Sequence, residues 1–167
     1  MAHYSPDEAG YWAVPEKYQS MRNLAETMRM TWFILGDDDS EDAPAAMVLD
    51  MQPGHVIARH AHDCERVEIV VSGSLDVGDR ILRAGDIMVA HPGEFYGPHV
   101  AGPEGCMTLE VFSAARETHQ IVYQAEDGTK VKPDALIGEY RPRRLAGMEG
   151  VREKVAAVRA EAAKRNS

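Results

Sequence analysis

Nine consecutive residues, His60 to Glu68 (HAHDCERVE), combine imidazole, carboxylate, thiol and guanidinium groups. His60 and His62 lie two positions apart, a spacing that puts both side chains on one face of an extended strand. Imidazole nitrogens are good ligands for Fe, Zn, Cu and Ni. The pair is therefore a candidate metal site. The alternative interpretation is that both are histidines at a strand end, hydrogen-bonded to the backbone.

Composition limits the partners of the chain. Its 167 residues suffice for one domain, and its net charge of −9 disfavours nucleic acid and anionic membranes, which attract clustered Lys and Arg. Its longest apolar stretches are far shorter than the roughly 20 residues that span a bilayer. The first residues, MAHYSPDEAGYW, contain no basic segment followed by an apolar one, so we expect no signal peptide. We therefore expect a cytoplasmic protein without a nucleic-acid or membrane partner, in which Cys64 and Cys106 are free thiols.

Short β-rich runs recur between Ala46 and Ser113, separated by turns rich in Gly, Pro and Asp. This spacing predicts an all-β sandwich or barrel rather than alternating strands and helices. The runs of strand length are, in order, AMVLDM, HVIARHAH, RVEIVVSG, SLDVGD, RILRAGD, IMVAHPGEF and MTLEVFS. We divide the chain into an N-terminal extension (1–45), a β-barrel core (46–115) and a C-terminal extension (116–167).

Apolar residues at helical spacing near the C-terminus predict an amphipathic helix. The stripe comprises Leu145, Met148, Val151, Val155, Val158 and Ala162. A helix with such a stripe docks on the barrel or on a partner subunit. We expect a homodimer.

Two motifs in the β-rich region resemble those of the cupin superfamily. The matching residues are Gly54, His60, His62 and Gly73 in the first motif, and Gly85, Asp86 and Gly93 in the second. The resemblance covers residues 46 to 113. It implies a double-stranded β-helix, the cupin jelly-roll barrel, with a ligand cavity inside and commonly a dimeric assembly.

The chain departs from the family pattern at several positions. Arg66 stands where the first motif usually has a glutamate ligand, Tyr96 where the second has a histidine ligand, and His91 where a proline is usual. Alternation along a strand gives Glu68 the face of Arg66, so Glu68 is a candidate replacement ligand, unless this polar face lies in water. If residues 92–95 form a four-residue loop, His91 lies opposite Tyr96 and is a second candidate.

The candidate metal ligands are therefore His60, His62, Glu68 and His91. Two histidines and a carboxylate suit non-haem Fe(II), whereas three imidazoles suit Fe, Zn, Cu or Ni. We expect a divalent metal cofactor, with Fe(II) favoured and Zn, Ni or Mn as alternatives.

Arg66, Glu68 and Tyr96 are the candidate catalytic residues. Arg66 either binds the carboxylate of an anionic substrate or forms an internal ion pair with Glu68. Tyr96 ligates a metal, donates a proton or fills the barrel mouth. Cys64 supplies a thiolate or is a small buried hydrophobe. His99 follows Tyr96 by three residues, so alternation places it on the opposite face, as a loop or surface histidine.

Three functions fit these candidate residues. We favour an O2-dependent oxygenase, a dioxygenase-like oxidoreductase that acts on a small, anionic organic substrate. The alternatives are a non-redox, metal-dependent lyase or isomerase, and a cupin that binds a small ligand without catalysis. The fold does not decide among them, because one fold hosts many activities.

Overall fold

The computed structural model describes residues 1–14, 16–24, 26–37, 40–139 and 142–166. Its strands are β1 (Met28–Ile34), β2 (Ala45–Met51), β3 (Val56–Ile57), β4 (Arg66–Asp76), β5 (Ile81–Arg83), β6 (Ile87–Ala90), β7 (His99–Phe112), β8 (Tyr123–Gln124) and β9 (Lys130–Val131). Short 3₁₀ helices lie at Glu16–Leu24, Ala115–Thr118 and Ala135–Ile137, and the α-helix α1 spans Val151–Arg165. The predicted all-β fold class with a C-terminal helix is confirmed.

The large sheet has the strand order β1-β2-β7-β4-β5, with β3 paired to β7 and β6 paired to β4. Every pair in it is antiparallel, and β8 and β9 form a separate small sheet. Strand β1 pairs with β2 from Met28, opposite Met51, to Ile34, opposite Ala45. The sheet therefore extends into the N-terminal segment, beyond residues 46–115.

Strand β4 is longer than the sequence predicted. The runs RVEIVVSG and SLDVGD form one strand, whose pairing with β7 shifts around Gly73. Gly73 has a φ of +72°, and a Cβ at this position would collide with the carbonyl oxygen of Gly105. Glycine therefore permits a bulge and a close approach of β4 to β7, where the sequence suggested a turn between two strands.

Alternation along β4 separates a polar inner face from an apolar outer face. Arg66 and Glu68 point inward and are only 2% and 1% exposed, whereas Val71 on the outer face is 49% exposed. Glu110 of β7 lies directly opposite Glu68 in the strand register. Side chains that oppose each other in this way share a face, so charged groups of two strands meet inside the barrel.

The N-terminal 3₁₀ helix packs against the first strand of the sheet. The ring of Tyr18 stacks on the ring of Trp32 with 4.7 Å between centroids, and Met21 is buried. Stacked aromatic pairs of this kind add to the stabilisation that burial gives. The helix thereby brings Met21 to the barrel interior.

Helix α1 lies against β7. Val151 and Ala162 of the predicted stripe are buried, and Lys154 forms an ion pair with Asp76 at 2.8 Å. The helix therefore docks on its own barrel, which is one of the two arrangements that its stripe allowed. Within the described ranges, no helix is long and apolar enough to cross a membrane.

Candidate functional site

The segment that carries the two histidines is fixed by backbone hydrogen bonds on both sides. The amide of His60 donates to the carbonyl of Tyr96, and the amide of Tyr96 donates to the carbonyl of His60, each at 3.0 Å. Ala61 and Val122 exchange a similar pair of hydrogen bonds at 2.8 and 2.9 Å. His60 and His62 are consequently buried at 5% and 4% exposure, although they lie outside the named strands.

Backbone carbonyls also fix the orientation of both imidazole rings. Nδ1 of His60 lies 2.6 Å from the carbonyl oxygen of Ala58, and Nδ1 of His62 lies 2.7 Å from that of Glu117. Because a carbonyl oxygen only accepts, each Nδ1 carries the proton and donates it. Nε2 of a neutral ring held in this way is a lone-pair acceptor. Both histidines are thus hydrogen-bonded to the backbone, as the alternative to a metal site predicted. These hydrogen bonds also orient Nε2 of each ring.

His62 is held in the neutral form. Burial lowers its pKa well below the ordinary value, and the nearby His60 and Arg66 lower it further. The ring centroids of the two histidines are 4.9 Å apart, and the ring of Phe112 lies 5.0 Å from that of His62. At neutral pH, His62 therefore offers an acceptor and carries no charge.

A cavity of about 150 Å³ lies beside the two histidines. Its apolar wall consists of Met21, Met28, Met30, Met47, Leu49, Val56, Ile57, Ala58 and Ile121. Its polar side consists of His55, His60, His62, Glu110, Thr118 and Tyr123. The cavity is thus mainly apolar with a few convergent polar groups, which is the usual make-up of a small-molecule site.

Arg66 forms a buried ion-pair triad with Glu68 and Glu110. Its Nη2 lies 2.7 Å from Oε2 of Glu68, and its Nε lies 2.8 Å from Oε2 of Glu110. The guanidinium also lies 4.7 Å from the ring centroid of Tyr96. The internal pair with Glu68 is therefore present, extended by a second carboxylate, and Arg66 is not among the residues that line the cavity.

The triad changes the proton affinity of Arg66 and Glu110. Burial alone would lower the pKa of Arg66, but Glu110 and Glu68 hold that pKa well above the ordinary value. Burial raises the pKa of Glu110, and Glu68 raises it further, while Arg66 lowers it. Arg66 is thus a permanent cation, and burial makes the Glu110 carboxylate easier to protonate than an exposed glutamate.

Several buried polar atoms around the triad have no hydrogen-bond partner among the described residues. They are Nη1 of Arg66, Oε1 of Glu68, Oη of Tyr96, Nδ1 of His99 and Oγ1 of Thr108. Buried polar groups without partners cost free energy, so such a cluster is a feature to explain. This cluster adds uncharged polar groups to the buried ion pairs of the triad region.

His99 is not the surface residue that strand alternation predicted. It is 1% exposed, its ring stacks on that of Tyr96 with 5.5 Å between centroids, and burial lowers its pKa to about 4. The prediction was wrong because alternation requires one continuous strand between the two residues. Instead the chain turns at Gly97, where φ is +83°, and His99 begins β7.

His91 also lies elsewhere than expected. Tyr96 bridges to His60, so residues 92–95 do not form a hairpin loop that opposes His91 to Tyr96. The side chain of His91 is 71% exposed, and its Nδ1 lies 2.9 Å from Oε2 of Glu65. The structure therefore does not bring His91 to the other candidate ligands.

The surroundings of Tyr96 and of the two cysteines favour the protonated side chains. Burial raises the pKa of Tyr96 well above the ordinary value, although Arg66 lowers it in part. Burial also raises the pKa of Cys64, and it raises that of Cys106 to about 12. The structure thus favours a buried thiol at Cys64 over a thiolate, and a phenol rather than a phenolate at Tyr96.

The donor groups do not match the metal site that the sequence predicted. Glu68 points inward as expected, but its Oε2 is bound to Arg66, and His91 is on the surface. In the part of the chain that the structure describes, no group of three or more His, Cys, Asp or Glu side chains is arranged to hold a metal ion. A guanidinium beside two imidazoles also repels a cation. The described residues thus do not fit a divalent metal.

The sequence analysis did not identify Glu110 or His99 as residues of the site. Glu110 has a detectable signal, since it lies between apolar residues in the strand run MTLEVFS, where an inward carboxylate requires a partner. His99 has no comparable signal, because the turn at Gly97 decides which way it points.

Comparisons with known proteins give structural neighbours only. No family model and no curated protein matches the chain. An RmlC-like cupin from Shewanella frigidimarina shares 27% identity over 55% of this chain and 80% of that chain, with a TM-score of 0.44. A Ralstonia eutropha protein of unknown function with a cupin-like fold shares 14% identity over 84% and 76%, with a TM-score of 0.49.

A third neighbour is a chain in the crystal structure of Rhodobacter sphaeroides SigE in complex with the anti-sigma ChrR. It shares 22% identity and a TM-score of 0.43, and the match covers 51% of this chain but only 44% of that one. All three likenesses have TM-scores below 0.5.

Proposed function

We propose that this protein binds a compact, mainly apolar small molecule in its barrel cavity, through a hydrogen bond to Nε2 of His62. The observation that carries the proposal is the fixed tautomer of His62, whose Nδ1 donates to the Glu117 carbonyl at 2.7 Å. Burial keeps this ring neutral by lowering its pKa. A ligand that donates a hydrogen bond therefore meets a pre-oriented acceptor, which reduces the ordering cost of binding.

The residues of the cavity wall indicate the shape, size and polarity of the rest of the ligand. Methionines at positions 21, 28, 30 and 47 supply flexible, polarizable surface that adapts to irregular apolar shapes. A cavity of about 150 Å³ accommodates a molecule of the size of benzene. The ligand class is therefore a small aromatic or aliphatic molecule with one donor group.

An anionic substrate, which the sequence suggested for Arg66, has less support. Arg66 donates from Nη2 to Glu68 and from Nε to Glu110 and is 2% exposed, so two of its three guanidinium nitrogens are already bound to carboxylates. Glu110 itself lines the cavity and disfavours an anion there. The charge of the interior thus favours a neutral ligand.

The oxygenase and the metal-dependent lyase or isomerase remain hypotheses with less support than ligand binding. Both need a metal held by protein ligands, typically three at a catalytic site. The described donor groups do not supply such a set. Binding of a small ligand without catalysis requires only the cavity and the imidazoles.

Phenol and toluene test the proposal, because they have similar shapes and differ in one donor group. Calorimetric titration of the wild-type protein is expected to give about tenfold tighter binding for phenol, as for one net hydrogen bond. His62→Leu is expected to remove that preference while toluene still binds. His91→Leu, which changes an exposed imidazole, is the matched control and keeps the preference.

Equal affinities of the wild-type protein for phenol and toluene would contradict the role of His62. Binding of neither probe would contradict the cavity as a ligand site. Circular dichroism of each variant verifies that the sheet is intact before the affinities are compared.

A further inference from the structure

The buried polar atoms without a hydrogen-bond partner among the described residues belong to side chains that contact one another around Arg66. Arg66 donates to Glu68 at 2.7 Å, and its guanidinium carbon lies 4.7 Å from the ring centroid of Tyr96. The ring of Tyr96 in turn stacks on that of His99, with 5.5 Å between centroids. The atoms are Nη1 of Arg66, Oε1 of Glu68, Oη of Tyr96, Nδ1 of His99 and Oγ1 of Thr108.

Thr108 joins this group through the register of the sheet. It lies on β7 opposite Val70, two residues before Glu110, and Glu110 lies opposite Glu68. Side chains two residues apart share a face, so Thr108 is a diagonal neighbour of Glu68 on the inner face. Thr108 is also fully buried. The five side chains therefore meet in one region of the interior.

The hydrogen-bonding roles of the five atoms restrict what can bind to them. Nη1 of Arg66 only donates and Oε1 of the Glu68 carboxylate only accepts, whereas the hydroxyls of Tyr96 and Thr108 do both. Burial lowers the pKa of His99 to about 4, so at neutral pH its uncharged ring offers a donor or an acceptor at Nδ1. A partner for the whole group must therefore both donate and accept.

Charge disfavours an ionic partner at the same place. The guanidinium of Arg66 repels a bound cation, and the carboxylates of Glu68 and Glu110 repel a bound anion. Water is neutral, donates and accepts, and in a buried site typically makes about three hydrogen bonds. Five atoms therefore require about two water molecules.

We propose that this region is an internal hydration site, in which buried water molecules bridge the five atoms around the guanidinium of Arg66. Each of these atoms is shielded from solvent, so the bridging waters exchange slowly with the bulk. None of the five residues is among those that line the ligand cavity, so the hydration site is separate from it. The inference goes beyond the proposed ligand binding and does not depend on it.

The test counts long-lived internal waters by ¹⁷O magnetic relaxation dispersion, in the wild-type protein and in Tyr96→Phe/Thr108→Val. Phe and Val have nearly the shapes of Tyr and Thr but lack the hydroxyl. The double variant is expected to lose at least about one long-lived water, because two of the bridged groups are gone. Tyr4→Phe/Thr129→Val removes two exposed hydroxyls and is the matched control, which is expected to keep the wild-type count.

Urea unfolding of the single variants Tyr96→Phe and Thr108→Val gives a second readout, whose sign depends on the water. If water bridges the hydroxyls, their removal leaves buried water with fewer partners, so the urea midpoint is expected to fall in both variants. If the hydroxyls are buried without any partner, their removal relieves an unfavourable burial, and the midpoint rises.

Either of two results would overturn the inference. One is an equal number of long-lived waters in the wild-type protein and in the folded double variant. The other is a urea midpoint that rises in either single variant, a readout that remains when the double variant does not fold. Neither measurement involves phenol or toluene, so failure here is distinguishable from failure of the proposed function.

Discussion

At the scale of single residues, the barrel interior keeps imidazoles neutral by burying them. His99 is 1% exposed, and burial lowers its pKa to about 4, with a further lowering by Arg66. His62 is shifted in the same direction by burial, His60 and Arg66. In mild acid the imidazoles of His62 and His99 therefore stay unprotonated in the folded protein, whereas they bind protons in the unfolded chain.

This difference predicts a loss of stability as the pH falls. The contribution of His99 is complete above its unfolded pKa of 6.5 and is lost as the pH falls towards its folded pKa of about 4. A shift of this size is worth about 3 kcal/mol of unfolding free energy. Urea unfolding at pH 7 and pH 4.5 measures it.

His99→Gln has no titrating group, so its loss of unfolding free energy between these pH values is expected to be smaller than that of the wild-type protein. His91→Gln, at an exposed position, is expected to behave like the wild-type protein. An identical pH dependence in His99→Gln and the wild-type protein would contradict the buried, neutral His99.

The sequence predicted part of this residue pattern and missed the rest. The burial of His60, His62 and Arg66 follows from the motif spacing and from alternation along one strand. The positions of His91 and His99 do not follow from alternation. Each depends on the length and the φ angles of a turn, which alternation along a strand does not predict. Alternation is reliable only within a continuous strand.

At the scale of elements, a short 3₁₀ helix far along the chain positions His62. The backbone carbonyl of Glu117 accepts from Nδ1 of His62 at 2.7 Å. The Glu117 side chain is fully buried and accepts from the amide of Asp63 and from Nζ of Lys132, both at 2.8 Å. Glu117 is therefore a positioning residue for the imidazole rather than a ligand-contacting one.

Glu117→Gln tests this positioning role. The amide has one acceptor oxygen instead of two, so either Asp63 or Lys132 loses its buried partner. We expect a loss of about 1–3 kcal/mol of unfolding free energy, and a weaker preference for phenol over toluene. A merely structural role would change the first quantity and leave the second unchanged.

Glu126→Gln is the matched control. Glu126 lies 3.8 Å from Arg144 in an exposed pair, and such pairs contribute little. Its phenol preference and its stability are expected to equal those of the wild-type protein. If Glu126→Gln lowered the unfolding free energy and the phenol preference as much as Glu117→Gln, the loss of any carboxylate would have this effect and the positioning role of Glu117 would be contradicted.

The strands themselves were largely predictable, since their apolar alternation is strong. The turns and bulges between and within the strands were not predictable. Gly73 was taken as the end of one strand, yet β4 continues through it to Asp76 because β7 approaches closely there. A glycine in a β-rich run indicates either a turn or a bulge, and only the neighbouring strand distinguishes the two.

At the scale of the whole molecule, the outer face of β4 and β6 is apolar. Val71, Ile87 and Val89 are 49%, 60% and 55% exposed. Val89 lies opposite Val67, so these side chains share one surface of the sheet. Exposed apolar surface of this kind is typical of protein–protein contacts.

The homodimer expected from the sequence remains a prediction, and this face is where we expect it to form. Light scattering of the wild-type protein is expected to give twice the mass of one chain, and Val89→Lys is expected to shift it towards the monomer. Arg152→Ala, on the exposed side of α1, is the control. A monomeric wild-type protein would contradict the prediction.

The most direct measurement of the proposed ligand contact is a long-range ¹H–¹⁵N NMR correlation of the histidine rings at neutral pH, with and without phenol. We predict that His62 shows a protonated Nδ1 and an unprotonated Nε2, and that phenol shifts the Nε2 signal while exposed His91 stays unchanged. A doubly protonated His62, or an Nε2 signal that phenol does not move, would contradict the proposal that this imidazole receives the ligand.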